Sequence, residues 1–137
     1  VLRYIVTYFT TFLAFAAIDS IWLTLVAGKL YRQTLGDFLL TSFRPAPAIL
    51  FYVLMVAGIM VFVVPRPGAA QSLPMTWVFG ALFGFFTYMT FDLTNYAIIR
   101  PWTFYLAWTD IAWGTFLTGT ASTIGFWGAT AILRKFQ

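Results

Sequence analysis

Three aspartates, Asp19, Asp92 and Asp110, stand in stretches of this 137-residue chain that are otherwise apolar. Asp92 and Asp110 share the run TYMTFDLTNYAIIRPWTFYLAWTDIAWG with Asn95, Arg100 and three tryptophans. Paired carboxylates can do acid–base work when their environments differ. Cysteine, histidine and glutamate are absent. Their absence removes disulfides, thiol chemistry, zinc sites and histidine-ligated haem, and no metal site is expected. Neither a nucleophile motif nor a nucleotide-binding loop is present. Acid–base chemistry would fall to the four aspartates and the tyrosines.

The elements that must position these groups are membrane spans. Hydrophobic residues make up 61% of the chain and charged residues only 9%, against roughly 25% charged in a soluble domain. Such a chain cannot cover a water-facing surface, so the class is an all-α integral membrane protein. A span needs about 20 mostly apolar residues. Four fit, over about 3–27, 48–64, 74–99 and 104–133, in a single transmembrane domain covering 1–137. The opening apolar run is too long for a cleavable signal, and no small-residue cleavage site follows it. The connection 65–74, PRPGAAQSLP, is rich in turn formers, and Arg100-Pro101 marks a tight hairpin. The longer connection 28–47 reads either as an interfacial amphipathic helix or as an early start to the second span broken at Pro45 and Pro47.

Counting along the spans sets the depth of the acids. Asp19 lies about 12 Å before Ala27, Asp92 about 10 Å before Ile99 and Asp110 about 9 Å after Phe104, at 1.5 Å per residue. All three fall below the same face. Tyr88, Asp92, Asn95 and Tyr96 share one side of the third span. An aspartate at mid-bilayer costs about 2.5–3.5 kcal/mol on insertion scales, so these should turn inward. Each then pairs with an arginine or a hydroxyl, or is protonated. Arg100 is the candidate counter-ion for Asp92 or Asp110. The ligand-binding or polar-core set is Asp19, Trp22, Arg32, Tyr88, Asp92, Asn95, Arg100, Asp110 and Trp113. Its bland reading is polar glue between helices; its sharp reading is binding or proton handling.

Gly80 and Gly84 make a small-residue face on the third span. Gly114, Ala121, Gly125 and Ala129 do so on the fourth. Aromatics are 21% of residues, mostly anchors and packing. No cofactor is expected, although so many rings would suit a bound lipid chain, quinone or carotenoid. A shift of 73 residues sets Asp19 on Asp92 and Asp37 on Asp110, which suggests two parallel two-helix repeats. Arg3, Arg66, Arg134 and Lys135 flank one side, and Lys29, Arg32, Arg44 and Arg100 the other. Four against four leaves the positive-inside rule without a vote. The terminal Arg-Lys pair leans toward cytoplasmic termini. No basic run exists to track nucleic acid.

The runs AIDSIWLTLVAGKLYRQTLG, FGALFGFFTYMTFDLTNYAIIRPW and TDIAWGTFLT resemble the bacterial predicted-membrane-protein family catalogued as domain of unknown function 2177. The resemblance covers nearly the whole chain. Asp19, Trp22, Tyr31, Arg32, Asp92, Asn95, Arg100, Trp102, Asp110, Trp113 and Gly114 match its motif positions. Pro101 departs from the small residue expected there, and the second span is the least motif-like part. The resemblance implies a four-span protein of the bacterial inner membrane and no particular activity.

Three functions compete. The first is a binding or accessory protein that holds a lipid-like ligand or joins other membrane subunits. The second is a small proton-coupled transporter working as a homodimer, since four spans are few for a transport path. A lipid-modifying enzyme ranks last, for want of a nucleophile or metal set.

Overall fold

The computed structural model describes residues 1–65 and 72–137 and is all-α. Helix α1 (Leu2–Trp22) runs through a π-helical turn, Leu23–Ala27, into α2 (Gly28–Leu35) and a short 3-10 turn, Gly36–Phe38. Helices α3 (Pro45–Phe62), α4 (Leu73–Ile98) and α5 (Phe104–Arg134) follow. Among the described residues, four helical segments are long and apolar enough to cross a membrane: Leu2–Phe38, Pro45–Phe62, Leu73–Ile98 and Phe104–Arg134. The chain is a four-span membrane protein. The turn expected over 65–74 and the Arg66 charge fall largely on 66–71, outside the described residues.

Local chemistry sets the helix ends. At α4 the Ser72 side chain accepts the Met75 N–H, with Pro in the first turn. At α5 the Thr103 hydroxyl accepts the Leu106 N–H at 3.1 Å. Both are N-cap arrangements. Pro45 opens α3 rather than interrupting it, because a proline at the first helical position loses no helical hydrogen bond. The first helix runs on past Ala27 since GKLYRQTL contains no stop before Gly36. Gly36 takes φ +52°, and the chain leaves the helix there. Hence the first half of the connection 28–47 is helix continuous with α1.

Helix α5 is the centre of the bundle. In its most apolar stretch 39% of residues are buried, against 17% to 22% in the other spans. It packs along α4 on one side and α1 on another, while α3 lies mainly on α1. Small residues permit the close approach. A Cβ at Gly84 would collide with the Gly114 carbonyl and sit 2.6 Å from Thr118 Cβ. One at Gly80 would sit 2.9 Å from Ser122 Oγ, and one at Gly125 would collide with Thr11 of α1. Ala121 and Ala129 are buried on the same helix. The main apolar core gathers Phe15, Met55, Val56, Ile59, Leu117 and Ala121. A second cluster of Leu35, Trp102, Leu106 and Ala107 docks α2 against the α4–α5 hairpin.

The two halves pack unequally. Helices α1 and α5 pack along their lengths, whereas α3 and α4, their counterparts under the 73-residue shift, touch only slightly. Asp37, the counterpart of buried Asp110, is exposed. Helices α3 and α4 meet where Phe62 stacks on Phe83.

Candidate functional site

The three aspartates expected in one layer are all buried: Asp19 is 6% exposed, Asp92 0% and Asp110 7%. Asp19 and Asp110 line a cavity of about 490 Å³ together with residues from every helix of the bundle. That size lies within the roughly 300–1,000 Å³ of small-molecule sites.

Each acid is held by its own set of neighbours. Asp19, on α1, accepts the Tyr52 hydroxyl of α3 on Oδ2 at 2.6 Å. On Oδ1 it accepts the Trp113 indole N–H of α5 at 3.0 Å. One carboxylate thus ties three helices. The Trp113 ring stacks on Trp22, with centroids 4.6 Å apart and planes 6° from parallel. Asp110, on α5, accepts the Tyr31 hydroxyl of α2 on Oδ2 at 3.1 Å. Tyr31 meets the Trp102 ring edge-on at 5.8 Å, so the α4–α5 hairpin props the ring that reaches Asp110. Asp92 has no N–H or O–H donor on either oxygen among the described residues. Its neighbour is the Asp110 carboxyl.

Why the chain delivers these groups can be read from the helices. An α-helix returns to the same face every three to four residues, which carries Phe15 and Asp19 inward together. The wide turn at Leu23–Ala27 then adjusts the phase, and Trp22, Leu23, Ala27 and Tyr31 all reach the cavity. Such π-turns inside α-helices are frequent at functional sites. A Cβ at Gly28 would lie 2.9 Å from the Leu23 carbonyl, so glycine suits the tight backbone there.

The cavity has an apolar mouth. Leu23, Phe51 and Phe91 are its well-exposed lining residues, at 48%, 45% and 50%. Helices α3 and α4 approach one another where Phe62 stacks on Phe83 at 5.7 Å and where Gly58 abuts the same ring. Toward the other end, Ala48 and Phe51 on α3 and Thr87 and Phe91 on α4 flank the cavity instead. The polar groups therefore stand behind a hydrophobic rim.

Among the residues expected from sequence, Asp19, Trp22, Tyr88, Asp110 and Trp113 meet around the cavity, and Asp92 stands directly behind Asp110. Arg100 is exposed in the hairpin, and no ion pair joins it to Asp92 or Asp110 among the described residues. Trp102, two residues on, takes the inward place. Asn95 is half-buried and does not line the cavity. Arg32 is exposed and donates Nε–H to the Gly28 carbonyl at 3.2 Å. Two tyrosines complete the site. Tyr31 could be singled out only through the family motif. Tyr52 carried no signal, since a tyrosine in an apolar helix reads equally well as an anchor.

The Asp19 triad makes a direct prediction. Asp19→Ala leaves the Tyr52 hydroxyl and the Trp113 N–H without their acceptor, at a cost of roughly 1–3 kcal/mol per group kept from water. Thermal unfolding of the detergent-solubilised variant is expected at a clearly lower temperature than wild type. Tyr52→Phe removes one bond and its donor together, so its effect should be smaller, about 1 kcal/mol.

Residues 4–127 match the family described as Predicted membrane protein (DUF2177), a match that includes the whole constellation. No curated protein and no solved structure matches the chain.

Proposed function

We propose that this chain, which belongs to the DUF2177 family of predicted membrane proteins, binds a single lipid-like molecule in the cavity between its helices. The observation that carries this reading is the arrangement of the wall. The rim is apolar, formed by Leu23, Phe51 and Phe91, and two hydrogen-bonded carboxylates stand behind it. Ligand sites are mostly apolar with a few convergent polar groups. Here the apolar part faces the gap between α3 and α4 within the spans, so a hydrocarbon chain can remain in the bilayer while its polar end reaches Asp19 and Asp110. The Trp22–Trp113 stack offers a flat wall along which such a molecule can lie.

The test is to fill the space. Ala48 lines the cavity on α3 and is half-buried, so a larger side chain has room to enter from the mouth. Protein drawn gently from its own membranes should carry a discrete small mass in native mass spectrometry, and Ala48→Trp should lose that mass while keeping the helical circular dichroism of wild type. Wild type with no bound mass, or an unchanged mass in Ala48→Trp, counts against the cavity. A heavier particle made of defined protein subunits would favour the accessory-subunit reading instead.

One observation favours a second reading. Asp92 and Asp110 place two carboxyl groups near one another inside the bundle, with Asp92 fully enclosed. A proton-coupled carrier needs a group of that kind.

A further inference from the structure

The amphiphile reading leaves open the chemistry of the ligand's polar end, and the charges around the cavity decide it. Asp19 and Asp110 line the cavity, and among the described residues neither a lysine nor an arginine does. Among the described residues the donors to Asp19 are neutral, the Tyr52 hydroxyl and the Trp113 indole. Asp110 has the Tyr31 hydroxyl. Asp92 stands behind it, fully enclosed, with no donor on either oxygen among the described residues. Neutral donors steady a carboxylate without cancelling its charge, and an uncancelled charge within a span is costly. The bases of the adjoining helix do not cancel it. Lys29 and Arg32 are exposed on α2, and Arg32 Nε turns back to the Gly28 carbonyl.

The rest of the wall is as informative. Trp22, Trp113, Tyr88, Phe51 and Phe91 present aromatic rings to the cavity. Ring faces carry negative quadrupole density and attract ammonium groups, most strongly where water is excluded. A bare metal ion fits poorly. No group of three or more His, Cys, Asp or Glu side chains is placed to hold one among the described residues.

We infer that the cavity takes an amphiphile with a cationic, N–H-donating head, a long-chain primary ammonium. The head lies between Asp19 and Asp110, against the Trp22–Trp113 stack, and the chain leaves past Leu23, Phe51 and Phe91. A carboxylate or phosphate head would meet like charge in the same place. A hydroxyl head could hydrogen-bond there but would leave the acids uncompensated. This assignment rests on the lipid-binding reading above.

Three probes with one chain length separate the two ideas. Wild-type protein in phosphatidylcholine nanodiscs is equilibrated with dodecylamine, dodecanol or laurate, and retained adducts are measured by native mass spectrometry. Dodecylamine should be retained at least about ten-fold more than either of the others, the scale of one charge-assisted contact. Asp19→Asn and Asp110→Asn should each lower that retention several-fold and narrow the preference for dodecylamine over dodecanol. Equal retention of dodecanol, or preference for laurate, overturns the cationic head while the lipid-binding reading stands. Retention of none of the three in wild type removes both. The wild-type comparison needs no variant to fold, so a collapsed aspartate mutant cannot rescue the idea.

Discussion

Gly114→Leu should break the seam between α4 and α5 and lose the folded bundle, at a cost of about 3 kcal/mol or more. Overpacking a filled interior usually costs about 1–3 kcal/mol, and more where backbone is involved. Here it is involved. Even a Cβ at Gly114 collides with the Tyr88 ring, and the Gly114 carbonyl already meets the space a Cβ would take at Gly84. Relief would require the helices to separate along the pair that makes the most extensive contact in the bundle. Little within a bilayer drives them back, because lipid tails solvate apolar side chains as well as a partner helix does. Two controls give the prediction its edge. Gly128→Ala sits on the same helix with its nearest atoms at 3.9 Å from Thr10, so its melting temperature should match wild type. Gly114→Ala combined with Tyr88→Ala should be more stable than the sum of the two single changes, since the ring that clashes is gone. An additive result would mean that Tyr88 is not what Gly114 accommodates.

That seam was legible in the sequence, and the reason is physical. Glycine spaced by four in an apolar helix has few uses other than close contact, so Gly80 and Gly84 announced a face. The spans were legible because hydrocarbon permits only backbones that satisfy themselves. The many threonines obey the same demand, as Thr7, Thr87, Thr90, Thr115, Thr123 and Thr130 donate to carbonyls four residues back. The fixed rise per residue set the three acids at one expected depth, and two of them, Asp19 and Asp110, line one cavity.

Other features depended on facts that a linear reading does not carry. The π-turn at Leu23–Ala27 shifts the face on which Tyr31 emerges, and a strict 3.6-residue period cannot foresee a single wide turn. The extension of the first helix to Phe38 was hidden by its polar residues, which fit an interfacial amphipathic helix equally well and here lie on the exposed side of α2. Arg100 looked like a partner for an acid by type and proximity. The turn closed by the Trp102 N–H on the Ile99 carbonyl at 3.0 Å carries Trp102 inward and Arg100 out. Tyr52 needed the packing of α3 on α1, which no pattern in that uniformly apolar helix foretold.

Asp92→Asn separates structural from functional purpose, because the two point in opposite directions. Asp92 is fully enclosed and finds no donor on either carboxyl oxygen among the described residues. A buried polar group in that position costs roughly 1–3 kcal/mol, and more if it is charged. Asparagine has nearly the same shape, removes an ionisable group and brings an N–H that can reach Asp110. The variant should therefore be more stable than wild type, by about 1–3 kcal/mol, read as a later thermal transition in detergent. Asp19→Ala, which strands two donors, should move the other way. Were Asp92 polar glue like Asp19, its loss would weaken the bundle too, and an earlier transition in Asp92→Asn would establish that role. A later transition means that the acid is kept against stability, and the same variant then says for what. A carrier that uses a proton at Asp92 should lose proton-coupled flux in liposomes in this variant. A ligand site whose charge is supplied by Asp19 and Asp110 should keep its bound mass. An acid kept at such a cost would point to chemistry at that place, where Asp92 stands near Asp110.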